Sequence, residues 1–360
     1  MVESTRRSVA VSRRLSRADR RGRAQTVLGL VDPAELGPTL MHEHLLWDIR
    51  TPKMRADPDQ GPEITLCNCF EINYGRRRKA PANLRFSCEP TATDELRRMR
   101  EAGGRTVVEL TVGGLDPRPN GLAALSRDAD VHVVMGCGHY VDEYQPDANR
   151  ERSADSFAAE IIDQVEVGAW NTDVRAGIIG EIGCQAPWTD LEKRVMAGAL
   201  VAMEHTGAAL NVHPGRHPDQ PQEVADFVRT HGADPGRVVI SHIDRTVFDE
   251  ERLLRLADSG VVVEFDLFGQ EQSFYPLADI DMPNDAVRLR LIRALIARGH
   301  GERVVVSHDI CYRTRLTRYG GHGYGHIFSN VVPLMLARGF SQAEVDQILV
   351  HTPRRLLTFA

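Results

Sequence analysis

The sequence predicts an α/β fold, a single (β/α)8 TIM barrel with a short N-terminal hairpin and a long loop after strand 1. Short β-branched runs recur along the chain, each ending in a polar or glycine cluster and followed by a helical stretch. The runs are continuously apolar, as in parallel strands covered on both faces. The 360 residues, 42% of them hydrophobic, suffice for one large core. An open doubly wound sheet is the competing arrangement.

Leu40-Met41-His42 is the first barrel strand. Seven more follow at 106–110, 131–135, 177–181, 208–212, 237–241, 260–264 and 303–307. The helices between them have readable ends. Thr189 and Glu192 form a capping box, and the helix they start runs to Gly207. Asn284 caps a helix carrying Val287, Leu291 and Leu295.

Two stretches fall outside the repeat. Residues 26–39 read as a small leading hairpin. Residues 50–90, rich in Pro, Arg and Cys, form a connection too long for an ordinary turn, on the side of the barrel where active sites are built. The domain boundary is set at residue 25. Residues 1–25 carry eight arginines against Glu3 and Asp19 and lack the apolar core of a secretory signal, so a loosely ordered extension is expected there. Residues 26–360 form the barrel domain.

The net charge of −6 argues against nucleic acid and membrane surfaces as partners, and leaves a small-molecule substrate. No apolar run is long enough to span a bilayer. Cysteines at 67, 69, 88, 137, 184 and 311 form no CxxC pair, which implies reduced thiols and a cytoplasmic setting. A homodimer is left open.

The chemistry is carried by strand ends. His42 and His44 follow the first strand, Glu181 ends the fourth, and His213, His242 and Asp309 follow the fifth, sixth and eighth. Barrel closure brings these six to one mouth. Side chains alternate along a strand, so His42 and His44 point together and Glu43 away; likewise Asp309 is assigned inward and His308 to packing. Four imidazoles and two carboxylates suit zinc, and six ligands exceed what one tetrahedral ion takes. Two divalent ions, sharing a carboxylate, are therefore expected. Asp244 and Asp266 are candidates for orienting the histidines, while Glu109 and Glu264 read as interior polar residues.

The stretches Thr39-Leu40-Met41-His42-Glu43-His44-Leu45, Gly177-Ile178-Ile179-Gly180-Glu181-Ile182-Gly183-Cys184, Ser241-His242-Ile243-Asp244-Arg245-Thr246 and Tyr319-Gly320-Gly321-His322-Gly323-Tyr324 resemble the phosphotriesterase-related branch of the amidohydrolase superfamily, members of which are sometimes called resiniferatoxin-binding. The similarity runs from about residue 25 to the C-terminus. It implies one metal on His42, His44 and Asp309, a second on His213 and His242, and Glu181 bridging them in place of a carbamylated lysine. It also implies that Tyr140 approaches the metals. Residues 111–120, His139 and the 50–90 connection depart from the family's pattern, and all lie where a substrate pocket is lined.

The expected function is binuclear zinc-dependent hydrolysis. A metal-activated hydroxide attacks a carboxylic amide, ester or lactone, and Asp309 carries the proton as the catalytic residue. The resemblance places phosphotriesters lower as substrates. Tyr140, Arg245 and His322 are the candidate substrate contacts. The rival reading is a barrel that binds a small molecule without turning it over.

Overall fold

The structure, a computed structural model, describes residues 13–74, 80–272, 275 and 277–360. Twelve strands are present among them. β1 (Ala24–Thr26) and β2 (Gly29–Val31) form an antiparallel hairpin. It turns at Val27-Leu28 and starts two residues before the expected stretch. β3 (Thr39–Glu43), β6 (Thr106–Glu109), β7 (His132–Met135), β8 (Ile179–Gly183), β9 (Leu210–His213), β10 (Val238–Ile240), β11 (Val262–Phe265) and β12 (Val304–Val306) are the eight expected barrel strands. They pair in parallel as β3-β6-β7 and β8-β9-β10-β11-β12.

Two seams join these sheets into a barrel. Between β7 and β8, the Gly177 and Gly180 amides donate to the carbonyls of Met135 and Cys137 at 2.9 and 2.7 Å. Between β12 and β3 the backbone contact is the Asp309 amide, 3.2 Å from the His42 carbonyl. The buried carboxylate of Glu43 carries most of this seam. It accepts from Ser307 Oγ at 2.8 Å, His308 N at 2.9 Å, His308 Nδ1 at 2.7 Å and Ile310 N at 3.0 Å. The Ile327 amide donates to His308 Nε2 at 3.2 Å, which fixes the proton on Nδ1. Glu43 thus points away from its histidine neighbours, and His308 serves packing.

The barrel interior is filled by Met41, Val108, Val134, Val239, Val262 and Val305, all within 1% of full burial. A larger apolar layer lies between strands and helices. The helices follow their sequence signals. Thr189 caps Asp190–Thr206 with Glu192 completing the box. Gly207 ends that helix at φ 74°, where a Cβ would meet the Ala360 carbonyl oxygen at 2.7 Å. Asn284 caps Asp285–Ala297 through the Val287 amide.

The 50–90 connection is structured at its ends. β4 (Trp47–Asp48) and β5 (Arg85–Phe86) pair antiparallel, with the Trp47 and Phe86 rings 5.0 Å apart. Short helices Pro52–Ala56 and Cys69–Tyr74 lie between them.

The second half of the Arg-rich segment departs from the loose extension expected over 1–25. Ser16 caps the helical turn Arg17–Arg20, and Arg20 is fully buried. Its guanidinium donates to Glu166 at 2.7 Å and to the Thr206 carbonyl at 2.9 Å. Arg14 donates to the same glutamate at 2.6 Å. These arginines dock because Glu166 is a buried carboxylate needing a partner. Residues 1–12 lie outside the described residues. All six cysteines are free, and no helix among the described residues is long and apolar enough to cross a membrane.

Candidate metal centre

His42, His44, Glu181, His213, His242 and Asp309 meet at the C-terminal mouth of the barrel. His42 Nε2 lies 3.6 Å from Glu181 Oε2 and 3.9 Å from Asp309 Oδ1. His44 Nε2 lies 3.5 Å from Glu181 Oε1 and 3.2 Å from Asp309 Oδ1. On the other side, Glu181 Oε2 is 2.8 Å from His213 Nδ1 and 3.5 Å from His242 Nε2. His213 and His242 approach to 2.9 Å. The Glu181 carboxylate therefore stands among all four histidines, Oε1 turned to His44 and Oε2 to His42, His213 and His242.

The far nitrogens of these rings are held by a layer that the sequence only partly disclosed. His44 Nδ1 is 3.0 Å from Thr111 Oγ1. That hydroxyl donates to the Glu109 carboxylate, so it accepts from the imidazole. His42 Nδ1 lies 3.1 Å from Ser241 Oγ and 3.3 Å from Asp266 Oδ2. Ser241 in turn donates to Glu264 at 2.7 Å or to Asn211 at 2.9 Å. His242 Nδ1 is 2.9 Å from Asp266 Oδ1. In each ring the proton belongs on Nδ1, which leaves Nε2 as a bare lone pair facing the centre. Asp266, a candidate from sequence, does this orienting. Glu109 and Glu264, read there as interior polar residues, share it, and Thr111 and Ser241 were not singled out. The available signal was an acidic residue inside an otherwise apolar strand.

Two of the six positions sit on backbone that resists ordinary side chains. His242 has φ 55° and Asp309 φ 49°, the left-handed region. The Asp266 carboxylate takes the His242 amide at 3.0 Å, and Glu43 grips the amides on either side of Asp309. Such strain persists where surrounding contacts over-determine it, and at sites it serves function.

The electrostatics divide the same way. Burial drives the His213 pKa down to about 3, with Arg245 and Arg216 adding and Glu181 opposing. Burial and Arg245 likewise press His242 well down. Both rings are neutral near pH 7, as ligands must be. Burial also disfavours charge on His42 and His44, but Glu181 and Asp266 raise the former, and Asp309 and Glu181 the latter. Carboxylates that draw a proton to these rings would equally draw a cation.

The residues fit divalent metal. His42 Nε2 is fully buried and has no hydrogen-bond partner, a costly state for a polar atom unless it ligates. Ligand atoms within 4.8 Å of one another group as His42, His44 and Glu181, and as Glu181, His213 and His242. Glu181 belongs to both. A third group, His42, His242 and Asp266, is the orienting contact described above.

A cavity of about 440 Å³ opens over the centre. Tyr140 and Arg245 line it, together with Thr51 and Met54 from the long connection. The Tyr140 hydroxyl is 3.3 Å from both ring nitrogens of His213. His322, expected to touch substrate, does not line this cavity. Its ring packs against His308 and His326 at 5.3 Å from each, and its Nδ1 lies 3.1 Å from the Gly323 carbonyl. The ring also packs against Gly269, where an added Cβ would meet it at 2.6 Å. Arg216, which the sequence reading passed over, does line the cavity.

A parallel barrel with a histidine and carboxylate cluster of this kind at its mouth defines a metal-dependent hydrolase. The comparisons agree: the chain belongs to the phosphotriesterase family, whose model matches residues 22–357. An N-acetyltaurine hydrolase of Tetraodon nigroviridis is 41% identical over 345 residues, covering 94% of this chain and 98% of that protein. A phosphotriesterase-related protein of Nematostella vectensis is 37% identical, covering 94% and 99%. Among solved structures, a resiniferatoxin-binding protein from Rhodobacter sphaeroides superposes with a TM-score of 0.87 at 32% identity, covering 93% of this chain and 95% of its own.

Proposed function

We propose that the chain hydrolyses the carboxylic amide bond of small N-acyl compounds, with esters and lactones next and phosphotriesters last. Two zinc ions are the proposed cofactors, one on His42, His44 and Asp309, the other on His213 and His242, with Glu181 between. The observation that carries this reading is that the Glu181 carboxylate stands among all four histidines and belongs to both ligand groupings. The preference for amides draws on the relatives that hydrolyse N-acetyltaurine. Six free thiols favour a reducing compartment such as the cytoplasm.

Bound divalent ions would lower the pKa of water toward neutrality and polarise the substrate carbonyl. The chain's own residues do the rest. Asp309, 3.2 Å from His44 and partly open to the cavity, is placed to accept a proton from the attacking water and return it to the leaving amine. Tyr140, against His213, is placed to orient the carbonyl oxygen.

The test is a screen of zinc-loaded protein against N-acyl amines, esters, lactones and phosphotriesters, with Asp309→Asn measured beside it. Asparagine still coordinates through its carbonyl but carries no proton back. The expected result is turnover of amides by wild type and loss of roughly 100-fold or more in kcat for a metal-replete variant, as for removal of a proton carrier. A metal-replete Asp309→Asn as fast as wild type would remove the proton-carrying role. A metal-loaded wild type that cleaved none of these classes would favour the non-catalytic binding barrel.

A further inference from the structure

Two arginines in the cavity wall have no acidic partner among the described residues. Arg245 is only 3% exposed, yet it meets neutral groups alone. It donates to Thr246 Oγ1 at 3.3 Å and to the Pro214 carbonyl at 3.1 Å, and lies 3.3 Å from His213 Nε2. Arg216, one barrel loop earlier, donates from Nε to the Tyr275 hydroxyl at 3.0 Å, with its Cζ 5.7 Å from that ring's centre. Neither forms an ion pair with a described residue. Two arginines buried like Arg245 are paired: Arg20 holds Glu166 at 2.7 Å and Arg288 holds Asp244 at 2.6 Å.

An unpaired guanidinium as buried as that of Arg245 is expensive, and a ligand can supply the missing charge; Arg216 stands beside it in the same cavity wall, exposed toward the opening. The cavity's deep carboxylates, Glu181 and Asp309, are committed to the metal centre, and Glu143 stands exposed at the rim. Among the described residues Arg216 is braced through Nε alone, which leaves its two terminal nitrogens to grip a pair of oxygens in the fork geometry that arginine favours. Arg245 reaches His213 at 3.3 Å and both arginines line the cavity over the centre, so the positive wall borders it and does not face away.

We propose that Arg216 and Arg245 form an anion-reading pair, which binds a carboxylate or sulfonate at the end of the substrate remote from the scissile carbonyl. Arg216 makes the adjustable contact and Tyr275 holds it in place. This rests on the hydrolase reading above and narrows its substrates to anionic N-acyl compounds.

The test compares three substrates that differ in one end group: N-acetyltaurine, N-acetyl-β-alanine and N-acetylethanolamine. Zinc-loaded wild type is expected to favour the two anions over the neutral alcohol by roughly tenfold to a hundredfold in kcat/KM, the range of one charge-assisted contact. Arg216→Gln should collapse that ratio, chiefly through KM, and Arg216→Lys should restore part of it. The order of sulfonate and carboxylate identifies the oxyanion preferred. A wild type indifferent to charge, or an Arg216→Gln variant that slows all three substrates equally, overturns the proposal. Failure of the hydrolase reading is separable. If wild type cleaves none of the three, ethanesulfonate binding read by thermal shift still decides. Stabilisation of wild type that vanishes in Arg216→Gln upholds the anion pair, and no stabilisation of wild type overturns it.

Discussion

Glu43→Gln isolates the β12–β3 seam from the metal chemistry that the seam supports. The wild-type carboxylate accepts four hydrogen bonds, three at Oε1 and one from the Ile310 amide at Oε2. A glutamine side chain of the same shape presents one oxygen and one NH2. In its better orientation the oxygen keeps three donors, and the NH2 then faces the Ile310 N–H, donor against donor. An orphaned buried N–H costs about 1–3 kcal/mol, and the three remaining bonds lose their charge assistance. A total near 3 kcal/mol is expected, which for a chain of this size lowers Tm by about 4 °C. The second effect is local. Asp309 sits between the two amides that Glu43 holds, with φ 49°, and relaxes once one is released. Metal at the His42, His44 and Asp309 position should therefore weaken although no ligand was altered. Thermal unfolding of the apo and zinc-loaded forms, with metal analysis on the same samples, measures both. A variant with wild-type Tm in the apo form and undiminished zinc affinity would refute the view that Glu43 holds the seam and Asp309 together.

Three further outcomes follow from the same geometry. Zinc-loaded wild type should carry about two ions per chain and His213→Ala about one, by elemental analysis of desalted protein; a wild type that stays metal-free in excess zinc removes the two-ion reading. Glu181→Gln keeps the shape but halves the bridge, so affinity at both positions should fall at least tenfold in chelator competition, and unchanged affinity would make Glu181 structural. Burial pushes the Glu160 carboxyl up, but His139 at 3.1 Å and Arg152 at 2.6 Å outweigh it and hold its pKa at about 2. A depressed carboxylate stabilises the fold above its unfolded pKa and loses that contribution as pH falls toward the folded value. Discounted for partial exposure, the loss is roughly 1 kcal/mol between about pH 4.5 and pH 2. Urea unfolding should show wild type more stable than Glu160→Gln near neutrality and the gap closing in acid; a gap independent of pH contradicts the pairing.

The strands, the leading hairpin and the ligand cluster could be read from the sequence because each has a local signature. β-branched runs separated by helix caps define the barrel units, and a histidine or carboxylate after an apolar run marks a strand end. Alternation alone sent Glu43 one way and His42 and His44 the other. What the sequence could not give depends on contacts between distant segments. Thr111 and Ser241 become ring holders only because β6 lies beside β3 and Ser241 faces His42 across the barrel. His322 looked like a pocket residue because glycine-rich loops after barrel strands often are. Its ring instead packs on His308 and His326, away from the cavity lining. Arg20 reads as one of many arginines in a basic tail, and its value comes from a buried Glu166 well over a hundred residues away.

The β4–β5 ribbon gives the long connection an unusual independence. Trp47 and Asp48 pair with Phe86 and Arg85, so the two feet of the connection stand together whatever lies between them. Thr51, Met54 and Leu84, which line the cavity, hang from those feet, whereas the histidines and Glu181 belong to barrel strands or the turns just beyond them. One side of the cavity wall and the residues at the barrel mouth thus occupy separate units of inheritance. A lineage could lengthen, shorten or rewrite the span between residues 48 and 85 without shifting the histidines or Glu181. One catalytic cradle could in that way serve successive diets.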